Sequence, residues 1–158
     1  EPDPSMLITA ICKSGLRAKA RTGGITADAF PTSPTLARFI RTCVTANVPF
    51  KLTAGLHHPL RGTYRFTYEP DSPTGTMYGF LNVFVATGVA QSDGSIADIA
   101  AALEEQSPSA FLVGDRQVLW RTYRIDITRM KSLKREIASF GSCSFTEPIE
   151  DLKSLNLL

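Results

Sequence analysis

Residues 16–53 switch between two hydrophobic periods, and that switch constrains the fold more than any other feature of the chain. Leu16, Ala18 and Ala20 fall on one side of an extended segment ending at Thr22, and Arg17, Lys19 and Arg21 fall on the other. Ser33 and Pro34 then open a helix as N-cap and first helical residue. Its apolar stripe of Leu36, Phe39, Ile40, Cys43 and Val44 follows the 3.6-residue period. Asn47 closes the helix and Pro49 prevents its continuation. Phe50 to Thr53 returns to period two, with Phe50, Leu52 and Ala54 opposite Lys51 and Thr53. Strand, helix and strand in so short a span form a βαβ crossover, which makes parallel strands with a right-handed connection. The apolar strand faces then pack on the helix, and the Lys, Arg and Thr faces point away.

The flanking segments read less uniquely. Asp3-Pro4 starts a helix carrying Leu7, Ala10 and Ile11, which Gly15 stops. Tyr64, Phe66 and Tyr68 alternate with Arg65 and Thr67, as in a short strand or extended arm. Met77 to Ala90 is a strongly apolar segment, read as a buried helix. Ser95 caps a helix with Ile96, Ile99, Ala100 and Leu103 on one face. Phe111 to Trp120 forms a hairpin turning at Gly114-Asp115. A helix from Asp126 or Thr128 carries Met130, Leu133, Ile137 and Phe140 as far as Gly141, and Thr146 caps a last helix with Pro148 in its first turn. With no internal linker, residues 1–158 read as a single α/β domain: a parallel sheet with helical and hairpin additions, or alternatively an α+β arrangement.

A chain of 158 residues, 43% hydrophobic and 20% charged, buries a core of ordinary size. A formal net charge of +2, without a basic run, argues against a nucleic-acid surface, so any cationic site must come from local arrangement. No stretch approaches the roughly 18 apolar residues of a membrane span. Three unevenly spaced cysteines, Cys12, Cys43 and Cys143, are no disulfide framework and point to a reducing cytoplasm.

Three groups of residues carry chemistry. The first is Lys19, Arg21, Thr22, Gly23 and Gly24, where cations at a strand end meet glycines that expose backbone N–H groups; such a set binds phosphate or carboxylate, or is a solvated face with a tight turn. The second, Lys51, Thr53, Gly55, His57, His58 and Arg61, repeats that form one crossover later. Neighbouring parallel strands place Lys19 and Lys51 on one side of the sheet, where mutual repulsion lowers the pKa of one amine. That makes Lys51 a nucleophile or base, unless both lysines simply pair with a ligand's anionic groups. His57 and His58 are acid–base candidates or turn residues; two histidines without a spacing motif do not define a metal site, and no cofactor is implied. The third group is Ser142, Cys143 and Ser144 before the last helix, an anion cradle in which the cysteine is either a nucleophile or a core residue. Asn82, with Tyr78, sits in an apolar segment and either lines the same pocket or ties the core together.

Ala18-Lys19-Ala20-Arg21-Thr22-Gly23-Gly24, Pro49-Phe50-Lys51 with Thr53 to Pro59 and Arg61, Gly79-Phe80-Leu81-Asn82, and Phe140 to Phe145 with Glu147-Pro148 resemble the motifs of an uncharacterised bacterial protein family. The resemblance spans nearly the whole chain, with Tyr78 where the family pattern has histidine. It implies that the chain is a C-terminal portion of a longer protein with a further N-terminal α/β part. A looser similarity links the chain to phosphate-binding (β/α) barrels, including Schiff-base aldolases, and implies a partial, barrel-like parallel sheet. The two Lys-bearing strand ends on one crossover give the expectation of a lyase- or aldolase-type enzyme for a small phosphorylated or carboxylated molecule. Lys51, His57 and His58 would be catalytic, and Lys19, Arg21 and Arg61 would hold the anion. The alternatives are a non-catalytic anion-binding or oligomer-forming module, covered by a second copy or a partner chain, and a metal-dependent hydrolase.

Overall fold

The predicted crossover is present. A computed structural model describes residues 3–142, 144 and 146–157. Cys143 of the predicted anion cradle, and Phe145 of the same motif, lie outside the described residues. β1 (Ala18–Arg21) and β2 (Phe50–Thr53) are parallel, joined by α2 (Ser33–Thr45). Ala18, Phe50 and Leu52 face α2 and are buried, while Lys19, Arg21 and Lys51 are exposed. Two boundaries differ from the sequence reading. Leu16 stays outside β1 and is 62% exposed. The N-cap of α2 is Thr32, whose hydroxyl accepts from Thr35 N–H, so Pro34 sits one position further in. The helix ends as expected, with Asn47 in the left-handed region at φ 52° and its N–H on the Val44 carbonyl.

A third strand completes the parallel sheet in a way the hydrophobic pattern had hidden. α5 (Ile127–Glu136) stops at Glu136, and Ile137–Phe140 is β8, parallel to β2, giving the order β1-β2-β8. Leu133, Ile137 and Phe140 satisfy a helical stripe equally well, so tertiary pairing decides between the two periods. Ile137 is buried in the sheet, and Phe140 stacks on Phe80 with ring centroids 5.3 Å apart. The sheet stays open: three strands do not close, and no barrel forms among the described residues.

Among the described residues, helices cover one face of this sheet. α2, α3 (Phe80–Gln91) and α4 (Ile96–Glu104) pack on one another. Phe39 of α2 meets Phe50 edge-on, and Phe84 of α3 meets Phe140 edge-on. α3 is the expected buried helix, apolar all round, and α4 begins with a reciprocal Ser95–Asp98 capping box. α1 (Ser5–Lys13) buries Ile8 and leaves Leu7 65% exposed, correcting the stripe of Leu7, Ala10 and Ile11. Around this core lie the hairpin of β3 (Gly62–Arg65) and β4 (Thr74–Met77) and the meander of β5 (Phe111–Gly114), β6 (Gln117–Trp120) and β7 (Tyr123–Asp126). α6 (Glu147–Ser154) ends the fold. Among the described residues no helix is long and apolar enough to cross a membrane.

Candidate active site

The loops leaving the three parallel strands meet at their C-terminal ends, where α/β sheets place their ligands. After β2, Ala54 (φ 67°) and Gly55 (φ 77°) are both left-handed and turn the chain back over the strand ends. The Gly55 and Gly23 backbones touch: a Cβ on Gly23 would lie 2.7 Å from Gly55 Cα and 2.7 Å from the Phe30 ring. Thr22 is buried, and its hydroxyl donates to the Ala54 carbonyl at 2.7 Å. Gly141 closes the third side, with its N–H on Leu52 O and its carbonyl accepting from Leu56 N–H.

The segment that follows is fastened to the start of α3. Phe80 and Leu81 N–H groups, orphans of the first helical turn, donate to the carbonyls of His58 and Pro59. Asn82 is fully buried and satisfied: Oδ1 accepts from Arg61 N–H at 2.8 Å, and Nδ2 donates to Ala102 O and Glu105 O. Its role is therefore to lock residues 58–61 against α3 and α4. Tyr78 is likewise held, donating to Pro31 O at 2.7 Å beneath the Arg61 guanidinium.

This scaffold presents two histidines to a cleft of about 440 Å³. His57 and His58 share it with Tyr64, Phe66, Tyr68 and Glu147, and Arg65 stands at its wall. Glu147, in the first turn of α6, lies between the rings: Oε2 is 4.0 Å from His57 Nδ1 and Oε1 is 4.0 Å from His58 Nε2. Tyr68 O–H donates to Glu147 Oε2 at 2.9 Å. His58 Nδ1–H donates to Asp151 Oδ2 at 2.7 Å, and the His58 ring stacks on Tyr64 at 3.5 Å. Ser142 Oγ stands 3.5 Å from His57 Nδ1 and donates to Ser144 O. Ser144 Oγ accepts from Glu147 N–H and so holds the start of α6 in place.

Burial pushes the His57 pKa below its ordinary value of 6.5; the Glu147 carboxylate opposes this, and His58 adds to it. Neutral imidazole accepts a proton at its unprotonated ring nitrogen, and an adjacent carboxylate stabilises the imidazolium that results. Ser142 and Glu147 approach the same nitrogen of His57, so the three do not form a nucleophilic triad, which needs serine and carboxylate on opposite nitrogens. Such an arrangement can transfer protons.

The structure does not bring all the predicted residues together. His57, His58, Ser142 and Ser144 meet at the cleft or its floor. Thr22, Gly23, Gly24, Gly55 and Asn82 are occupied in chain packing. Thr53 donates to Ala20 O, and Arg21 turns back so that Nε donates to Gly23 O at 2.8 Å. Lys19 and Lys51 are register partners on one side of the sheet, as expected, but they line a different hollow from the histidines. Arg61 lines a neighbouring cavity with Tyr64 and Asp151. Sequence reasoning gave no site role to Glu147, Asp151 or Tyr64; the hints were Glu147-Pro148 in the resemblance motif and Pro148 marking a helix start, where acidic residues are favoured. Among the described residues no three His, Cys, Asp or Glu side chains are grouped to hold a metal ion. No protein-family model matches the chain, and neither a curated protein nor a solved structure is similar to it.

Proposed function

We propose that the protein is a lyase-type enzyme for a small carboxylated or phosphorylated carbonyl compound, with His57 as the proton-transferring base. One observation carries this reading: half-buried His57, with a lowered pKa, faces Glu147 in a cleft at the C-terminal ends of parallel strands. His57 removes the proton next to the substrate carbonyl, the C–H electron pair forms a C=C bond as the substituent on the adjacent carbon leaves, and Glu147 stabilises the imidazolium. His58, held by Asp151, gives a proton to the departing group. Arg65 pairs with the substrate's anionic group. Lys51 stays outside the cleft, which favours proton transfer over a lysine adduct. The open three-stranded sheet, with helices on one face, suits the partial, barrel-like architecture expected from the resemblance. The free Cys12 and Cys43 thiols suit a reducing cytoplasm.

Incubation with 2-keto acids and phosphorylated ketones in deuterated water tests this. The expected result is enzyme-dependent loss of the α-proton NMR signal for at least one compound, reduced ~10²–10⁴-fold in His57→Gln. No exchange across the panel, or full exchange by His57→Gln, overturns it. Borohydride treatment with the active compound should leave Lys51 unmodified; a trapped adduct restores the aldolase mechanism.

A second reading, a non-catalytic module covered by another chain, draws on exposed Met6, Leu7 and Leu16, which are 88%, 65% and 62% accessible. Light scattering that finds a stable dimer, together with anion binding and no proton exchange, favours that alternative.

A further inference from the structure

The helix-free face of the parallel sheet carries a second hollow, of about 310 Å³, lined by Arg17, Lys19, Lys51 and Ser139 around Ala18. Its floor is one row of the sheet. Lys19 is the register partner of Lys51, and Lys51 is the register partner of Ser139. Adjacent strands lie about 4.8 Å apart, so the two lysine stems rise side by side with a hydroxyl next in line. Arg17, two residues before Lys19, adds a third cation from the same side.

Like charges directly opposite each other on neighbouring strands oppose folding. Proteins usually offset them with a carboxylate, and among the described residues none lines this hollow. No hydrogen bond or ion pair joins Arg17, Lys19 or Lys51 side chains to another described residue. Parallel sheets normally bury both faces, yet this face is too charged to sit under an apolar layer. An anion resolves both conditions: it neutralises the row and leaves the face polar.

We propose that this row is a phosphoryl-binding site, separate from the histidine cleft and independent of the proton-transfer reading. A phosphate monoester or inorganic phosphate meets its donor set best. Two ammonium groups act as point charges, the guanidinium forks onto two oxygens, and Ser139 supplies a hydroxyl. The volume is at the lower end of the roughly 300–1,000 Å³ typical of ligand sites, which fits a small molecule better than a polymer.

Calorimetric titration of the full chain with inorganic phosphate, against chloride at matched ionic strength, tests the site. Saturable binding is expected, at least tenfold weaker in Lys19→Gln and in Lys51→Gln, and unchanged in His57→Gln. Both lysines are exposed, so these variants keep the fold, and an unchanged melting temperature checks it. The proposal is overturned by phosphate binding no better than chloride, by lysine variants of full affinity, or by succinate binding as tightly as phosphate through the same lysines. Loss of binding in His57→Gln alone would move the anion into the cleft and equally overturn it.

Discussion

The ends and the open face of the same three strands solve opposite problems. At the ends, the loops leaving the three strands converge, glycine backbones touch, and the histidine rings are left only 14% and 13% exposed. On the face, the cations stand in water and no other described residue holds them. Burial alters the chemistry of His57 at the ends, whereas the face offers charge without changing its surroundings. A sheet of three short strands therefore carries both a desolvated histidine cleft and a solvated row of cations, because the two draw on different directions from the same backbone.

That contrast predicts that changes beneath the cleft cost far more stability than changes on the face. Asn82→Leu should cost about 3 kcal/mol or more, because it strips partners from Arg61 N–H, Ala102 O and Glu105 O in the interior. Urea denaturation measures it, and a loss below about 1 kcal/mol would mean that the loop holding His57 and His58 is supported elsewhere. Gly23→Ala should cost roughly 1–3 kcal/mol, since a methyl group there meets Gly55 Cα at 2.7 Å. A neutral result would show that the two loops separate freely.

Acidification sharpens the comparison further. His57 binds its proton less readily folded than unfolded, so between its folded pKa and 6.5 the unfolded chain holds more protons. Its contribution to stability is fully present above pH 6.5 and is lost as pH falls through the folded value. His57→Gln should flatten the dependence of melting temperature on pH in that window, while Lys51→Gln should leave it unchanged. The smallest effect belongs to the face: in chloride alone, Lys19→Gln should raise stability by ~0.2–1 kcal/mol through relief of the Lys19–Lys51 opposition. A clear loss instead would show that Lys19 already has a counter-charge in the free protein.

The βαβ unit was legible because each signal in it agrees. Period two flips to 3.6 and back, Pro34 and Pro49 bracket the helix, and no alternative satisfies all of them. The parity of Lys19 and Lys51 followed from the same alternation. The segment 133–140 was not legible, since Leu133, Ile137 and Phe140 fit a helix until β2 is known to lie alongside. The glycines after β1 and β2 suggested a cradle for phosphate, but glycine permits any close approach, and here the approach is between two loops. Glu147 and Asp151 were missed because they lie about 90 residues from the histidines they face, on a helix with no catalytic spacing of its own.

Taken by itself, the sequence determined the periods of the βαβ unit, the C-terminal end of its helix and the side of the sheet on which each cation stands, all properties set within a few residues of backbone. Tertiary structure alone decided the third strand, the company of His57 and the separation of the lysines from the histidines. Desolvation and charge coupling depend on which distant segments arrive within a few ångströms, and no local pattern encodes that arrival.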